Sequence, residues 1–141
     1  MTVITPEVRQ ALNSAKLTHL TTLNKDGSPQ VTVVWIGLEG DEIVSAHLME
    51  SHKVRNMKRD PRVVVSLLTG TKNQMGLDEY LVVNGRATIH EGGAPELLQR
   101  LAEKYIGPGV KFPPPEITAP GFVTHITIER IGGVGPWAEL H

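Results

Sequence analysis

The stretch from residue 17 to residue 47 reverses direction twice between short β-prone runs, and this limits the fold more than any other feature of the chain. Residues 17–23 (Leu-Thr-His-Leu-Thr-Thr-Leu) and 30–36 are rich in apolar and β-branched residues and read as strands. Between them stands Asn24-Lys25-Asp26-Gly27, and Asp-Gly tolerates the positive φ angles of a tight hairpin. Leu38-Glu39-Gly40-Asp41 turns the chain again into a third strand, 42–47. Strands joined this tightly pair antiparallel, because a parallel pair needs a crossover of a dozen residues or more. Further strands are expected at 62–68, at 79–89 and at 122–131. In the fifth of these six, Asn84-Gly85 reads as a bulge, since a hairpin there would leave arms too short to matter. Helices are expected after the Thr5-Pro6-Glu7 start signal, with Val8, Leu12 and Ala15 inward, and over 94–105, with Leu97, Leu98, Leu101 and Ala102 inward. Residues 107–121 hold five of the ten prolines and read as irregular loop. Six mostly antiparallel strands with inserted helices and no β-α-β-α alternation favour a closed or partly closed barrel, because closure removes exposed strand edges.

The 141 residues make one domain, 1–141, large enough for a single core. Fourteen basic residues against fifteen acidic ones exclude a general nucleic-acid binder, which needs a strong basic excess. No apolar run approaches the ~20 residues of a membrane-spanning helix, and no secretory signal pattern is visible at the N-terminus. Zero cysteines remove disulfides, thiolate metal sites and a cysteine nucleophile, and fit a cytoplasmic protein. No His-Glu-x-x-His occurs, and His19, His47, His90 and His125 fall singly on different strands, so no metal site is expected. Ser45 and Ser66 lack an elbow motif for hydrolysis.

Charge is concentrated in one place. Residues 51–63 carry Lys53, Arg55, Lys58, Arg59 and Arg62 in a chain of net charge −1. Ser51 opens this segment, Asp60-Pro61 closes it, and strands flank it on both sides. That is the pattern of a short capped helix. A helix N-terminus offers unpaired N–H groups and partial positive charge, a natural seat for phosphate. At 100° per residue Arg55, Lys58, Arg59 and Arg62 share one face, while Lys53 points nearly opposite, beside Val54 and Met57. Lys53, in the first turn, is the leading phosphate contact. The four-cation stripe would suit a longer anionic tail, or it is a solvated helix face.

Taken in order, these pieces carry a resemblance: Thr22-Leu23-Asn24-Lys25-Asp26-Gly27-Ser28-Pro29, Val33-Val34-Trp35, the run from Lys53 to Arg-Asp-Pro-Arg-Val63, residues 105–114 (Tyr-Ile-Gly-Pro-Gly-Val-Lys-Phe-Pro-Pro) and Gly132-Gly133-Val134-Gly135-Pro136-Trp137. Across nearly its whole length the chain resembles the pyridoxamine 5′-phosphate oxidase-like split β-barrel family. Within it, the chain is most similar to the small actinobacterial oxidoreductases that use the deazaflavin coenzyme F-420. The resemblance implies a six-stranded antiparallel split barrel, mainly β, acting as a homodimer with cofactor sites in grooves between the subunits. It implies phosphate contacts from Lys53 and its neighbours His52, Arg55 and Lys58, a ring system lying along Thr32, Val33, Val34 and Trp35, and an approach by the segment around Trp137 from the partner. Only four residues follow Trp137, whereas true pyridoxamine phosphate oxidases carry a longer basic extension, so vitamin B6 oxidation is not the expected activity.

The expected function is hydride transfer from the reduced deazaflavin to a small or mid-sized organic acceptor. FMN is the alternative cofactor, and a non-catalytic barrel that holds a cofactor or a tetrapyrrole is the alternative class. The poly-glutamate tail of the deazaflavin would engage the basic stripe, with Lys72 nearby. The cofactor carries the chemistry, so no catalytic side chain is singled out; Tyr80, His47 and His52 stand as possible proton donors.

Overall fold

In the computed structural model, which describes residues 4–137, one seven-stranded sheet is wrapped by three helices. In chain order the elements are α1 (Pro6–Leu12), β1 (Thr18–Leu23), β2 (Pro29–Val34), β3 (Gly37–Glu39), β4 (Glu42–His47), α2 (His52–Arg59), β5 (Arg62–Lys72), β6 (Asp78–Glu91), α3 (Ala94–Tyr105) and β7 (Phe122–Val134). The strands lie in the order β2-β1-β5-β6-β7-β4-β3, and every neighbouring pair is antiparallel. Inward side chains from β1, β2, β4, β5, β6 and β7 meet in one cluster with Val8 and Leu12 of α1, Met57 of α2 and Trp137. A sheet whose strands all reach a common core has curled into a barrel. The barrel stays open between β2 and β3, which are sequence neighbours and form the two unpaired edges. A second cluster lies on the outer face of β4 and β7, where Val44 and Val123 pack under Leu97 and Leu101 of α3. Strand β4 is therefore buried on both faces, Ile43 inward and Val44 outward, as the period of two requires.

Seven strands replace the expected six. Gly37, Leu38 and Glu39 pair with Val44, Ile43 and Glu42, so only Gly40 and Asp41 are left to make the turn. A three-residue strand is too short to show alternation. Three strands run longer than expected: β5 continues past 68 through residues 69–72, β6 extends to Asp78–Glu91, and β7 continues through Gly132-Gly133-Val134, opposite Val82, Leu81 and Tyr80. Gly133 has φ of 112°, and a Cβ there would stand 2.2 Å from the Tyr80 carbonyl oxygen. Glycine is thus what lets this stretch pair at all. Helix α1 stops at Leu12, so its third inward residue is Ala11; Ala15 lies beyond the helix at φ 56°.

The irregularity expected at Asn84-Gly85 is present. Asn84 faces Arg130 and Gly85 faces Ile128, which leaves Glu129 of β7 as the extra residue. Among the described residues no helix is long and apolar enough to cross a membrane.

Candidate functional site

Helix α2 crosses from β4 to β5 and buries Val54, Asn56 and Met57. It ends where Pro61 disfavours helical backbone at Asp60, whose φ and ψ are −137° and 113°. Arg62 therefore lies on β5 and not on the helix, a correction to the expected four-cation stripe. Its guanidinium clasps Asp60 at 3.0 and 2.8 Å, which holds that carboxyl down to about 2. The other stripe cations turn back onto the chain. Arg55 Nη1 donates to the Glu50 carbonyl at 2.8 Å. Lys58 Nζ sits 3.3 Å from the Glu50 carboxylate and 4.7 Å above the centre of the Phe122 ring. Arg59 Nη2 donates to the Leu23 carbonyl and to Asn56 Oδ1 at 2.8 and 2.9 Å. Lys72 pairs with Asp78 at the far end of β5, ten residues and so about 30 Å of strand from Arg62.

Lys53 differs from all of these, because among the described residues its ammonium has neither a hydrogen bond nor an ion pair. Among the described residues no carboxylate lies within ion-pairing distance of it, and burial pushes its ammonium below the usual lysine range. Its side chain lines a cleft of about 260 Å³ together with Leu17, Val33, Val34, Trp35, Ala46, Leu98 and Phe112. The first turn of α2 and the end of β2 thus meet in one cavity at the open seam of the barrel. Thr32 and Ser51 do not line the cleft, and their hydroxyls are buried with no hydrogen-bond partner. Ser51 stands at the N-cap of α2 yet makes no cap bond with its side chain. A buried, unpartnered hydroxyl is uncommon in a finished fold.

A polar cluster joins α2 to the β1–β2 hairpin. Asn56 is 1% exposed, and its Nδ2 reaches Thr22 Oγ1, Asn24 Oδ1 and Gln30 Oε1 at 3.1, 3.0 and 3.2 Å. His52 Nε2 also meets Asn24 Oδ1, at 2.7 Å, so His52 braces the hairpin and does not line the cleft. This cluster holds the helix start at a set place against β2. Sequence reasoning missed it, because each acceptor that Asn56 Nδ2 reaches lies 26 to 34 residues away.

The far wall of the cleft is aromatic. Trp35 stacks on Tyr105 with ring centres 5.2 Å apart and planes 13° from parallel, and Phe112 tilts against Trp35 at 5.6 Å. The Tyr105 hydroxyl accepts from the Ile36 N–H and donates to the Lys16 carbonyl, both at 3.0 Å. Burial raises its phenol above the usual range, which keeps that donor protonated. Leu17, Leu98 and Phe112 were not singled out from the sequence; Phe112, one of only two phenylalanines, offered the one local signal.

The remaining expected residues lie elsewhere. Trp137 is 3% exposed in the core of its own chain and donates from Nε1 to the Tyr80 carbonyl at 2.9 Å. Tyr80 itself is 39% exposed on β6, away from the cleft. His47 is buried with Nε2 against Thr124 Oγ1 at 2.8 Å, and burial, helped by the charge of Lys53, pushes it down to about 4. A neutral, enclosed imidazole is a poor proton donor at neutral pH. His90 and His125, expected to stand singly, meet edge to face at 5.0 Å, with His125 Nδ1 3.4 Å from Glu42 and 3.8 Å from Glu39. Among the described residues no group of three or more such side chains could hold a metal ion.

Comparison with known proteins bears on this geometry. No curated protein matches the sequence. Among solved structures, an F-420 reductase is 25% identical, with 91% of this chain and 98% of that one covered and a TM-score of 0.73. A conserved hypothetical protein of Mycobacterium tuberculosis is 26% identical over 93% of this chain and 84% of its own, with a TM-score of 0.71. A FAD-binding protein of Mesorhizobium loti, 23% identical over 90% and 89% with a TM-score of 0.63, shares the fold. The family profile described as pyridoxamine 5′-phosphate oxidase matches residues 4–135. The split barrel, its open seam and this match together place the chain in the pyridoxamine 5′-phosphate oxidase-like family.

Proposed function

We propose that this chain is a cytoplasmic oxidoreductase that binds coenzyme F-420 between two copies of itself and passes hydride to a small or mid-sized organic acceptor. One observation carries the reading: an ammonium without a carboxylate partner among the described residues, Lys53, shares a cleft with Val33 and Val34, the end of an edge strand. Such an edge presents free backbone N–H and C=O groups, which suit the polar rim of a flat heterocycle. Lys53 and the start of α2 suit a phosphate. When bound, the deazaflavin supplies the hydride chemistry, and the chain supplies orientation and a dry wall made by Trp35, Leu98 and Phe112.

A partner copy is supported by size. The cleft of about 260 Å³ falls below the ~300–1,000 Å³ of small-molecule sites, so a cofactor with its acceptor needs further walls. The outer face of the sheet offers them, with Val31 56%, Val33 51% and Leu68 63% exposed. The deazaflavin is favoured over FMN by the F-420 reductase at 25% identity, and by Arg55 and Arg59, whose hydrogen bonds go to neutral groups and leave charge for an anionic tail.

The test is a fluorescence titration with oxidised coenzyme F-420 and, separately, with FMN. Binding of the deazaflavin is expected, weakened about 10- to 100-fold by Lys53→Ala, the loss of one charge-assisted contact. Tighter binding of FMN would transfer the chain to the flavin branch of the family, and binding of neither would overturn the proposal.

A further inference from the structure

Residues 107–121 run from the end of α3 to β7 without regular secondary structure, yet Phe112 in their midst is set against Trp35 as a wall of the cleft. One side chain accounts for this. From α3, Gln99 Nε2 donates to the Val110 carbonyl at 2.7 Å, and Gln99 Oε1 accepts from the Phe112 N–H at 2.9 Å. The amide thus bridges two backbone groups two residues apart, as a neighbouring strand would. Among the described residues no other side chain hydrogen-bonds to this segment. Its remaining hydrogen bonds outside itself are at its two ends, where the Gly107 N–H donates to the Ala102 carbonyl and the Ala94 and Gly92 N–H groups donate to the Pro120 and Gly121 carbonyls.

Phe112 packs against Trp35, at the end of the stretch that would carry a ring system, and the other residues lining the cleft beside it are apolar: Leu17, Ala46 and Leu98. Nothing on that side selects by hydrogen bonding or charge. Discrimination between acceptors must then come from shape, and the residue that fixes the shape is the one held by the side-chain latch. Resting on the reading of this cleft as the cofactor and acceptor site, we infer that Phe112 sets the size limit for a planar, uncharged acceptor and that Gln99 positions Phe112 to do so. Shortening either side chain widens the acceptor half of the cleft and leaves the seat at Lys53 untouched.

Two measurements test this and fail separately from the cofactor assignment. The first uses the free protein: acrylamide quenching of tryptophan fluorescence, in which Trp137, 3% exposed, is a constant background and Trp35 is the reporter. Gln99→Ala is expected to raise the quenching constant about twofold, and Gln99→Glu, which keeps the acceptor for Phe112 but loses the donor to Val110, by less. The second uses the cofactor-loaded enzyme and compares kcat/KM for a bare naphthoquinone with that for the same ring bearing a bulky side chain. Phe112→Ala and Gln99→Ala should shift this ratio towards the bulky acceptor by at least about tenfold, the low end of what one methylene is worth in an apolar pocket, while cofactor affinity stays within about twofold. Unchanged quenching in folded Gln99→Ala would overturn the latch. An unchanged acceptor ratio in Phe112→Ala would overturn the size limit, whichever cofactor is bound.

Discussion

Acid should weaken this fold through one residue well before its carboxylates protonate. His47 is 7% exposed and its imidazole is lowered from 6.5 to about 4 by burial and by the charge of Lys53. Above pH 6.5 it is neutral folded and unfolded alike, so its contribution to stability is fully present. Between pH 6.5 and about 4 the unfolded chain takes up a proton there and the folded one does not. Stability therefore falls with pH across that window and levels off below it. At about 1.4 kcal/mol for each pH unit, the loss from this one group is about 3 kcal/mol. A chain of 141 residues unfolds with an entropy near 0.3 kcal/mol/K, so the loss corresponds to about 10 °C in Tm. The perturbation is His47→Gln, whose amide still reaches Thr124 but does not titrate. The assay is thermal unfolding of both proteins from pH 7.5 to 4. The wild type should lose about 10 °C more than His47→Gln over that range, and the difference should open below pH 6.5. Parallel curves would refute the reasoning, as would an NMR titration placing the His47 imidazole near 6.5.

Two further outcomes follow from the cleft. Lys53→Met removes a half-buried cation with no carboxylate partner, so it should stabilise the ligand-free protein at pH 7 by about 0.5–1 kcal/mol after solvent screening, or about 2–3 °C. The folded lysine is lowered below its unfolded value, so the gain is full below the folded pKa and fades as pH rises towards 10.5; a gain independent of pH in the alkaline range would contradict it. Asn56→Leu leaves the Thr22, Asn24 and Gln30 oxygens without their shared donor and should cost about 2–3 kcal/mol. Amide exchange in β1 and β2 should then quicken, and a variant as stable and as well protected as the wild type would show that the cluster is not what holds the hairpin to α2.

What was legible in the sequence is what neighbours in sequence decide. The hairpin at Asp26-Gly27, the basic helix with its Asp60-Pro61 stop, the bulge at Asn84-Gly85 and helix α3 each follow from a handful of adjacent residues. Strand β3 and the Gly132-Gly133 continuation of β7 did not, because glycine and three-residue runs argue against a strand unless the approaching backbone is known. The basic stripe was read from helical periodicity, which says where side chains point and nothing of what they meet. Glu50, Leu23 and Asp60 took up cations that the periodicity had left facing solvent.

Lys53 remained the exception, and the reason is topological. Its neighbours on α2 reach loop carbonyls and carboxylates around the helix, but Lys53 faces the seam between β2 and β3, where the barrel does not close. At the seam, Trp35 stacks on Tyr105, and the Ile36 N–H donates to the Tyr105 hydroxyl. Helix α3 is thus a wedge set against the two-residue link between β2 and β3. The same wedge supplies Leu98 to the cleft and Gln99 to the latch on Phe112. A barrel closed at that seam would have paired the β2 edge and left Lys53 no opening to face. In this chain the open seam and the cleft share one element, because the helix that lines the cleft through Leu98 ends in Tyr105, whose hydroxyl accepts from the Ile36 N–H and donates to the Lys16 carbonyl.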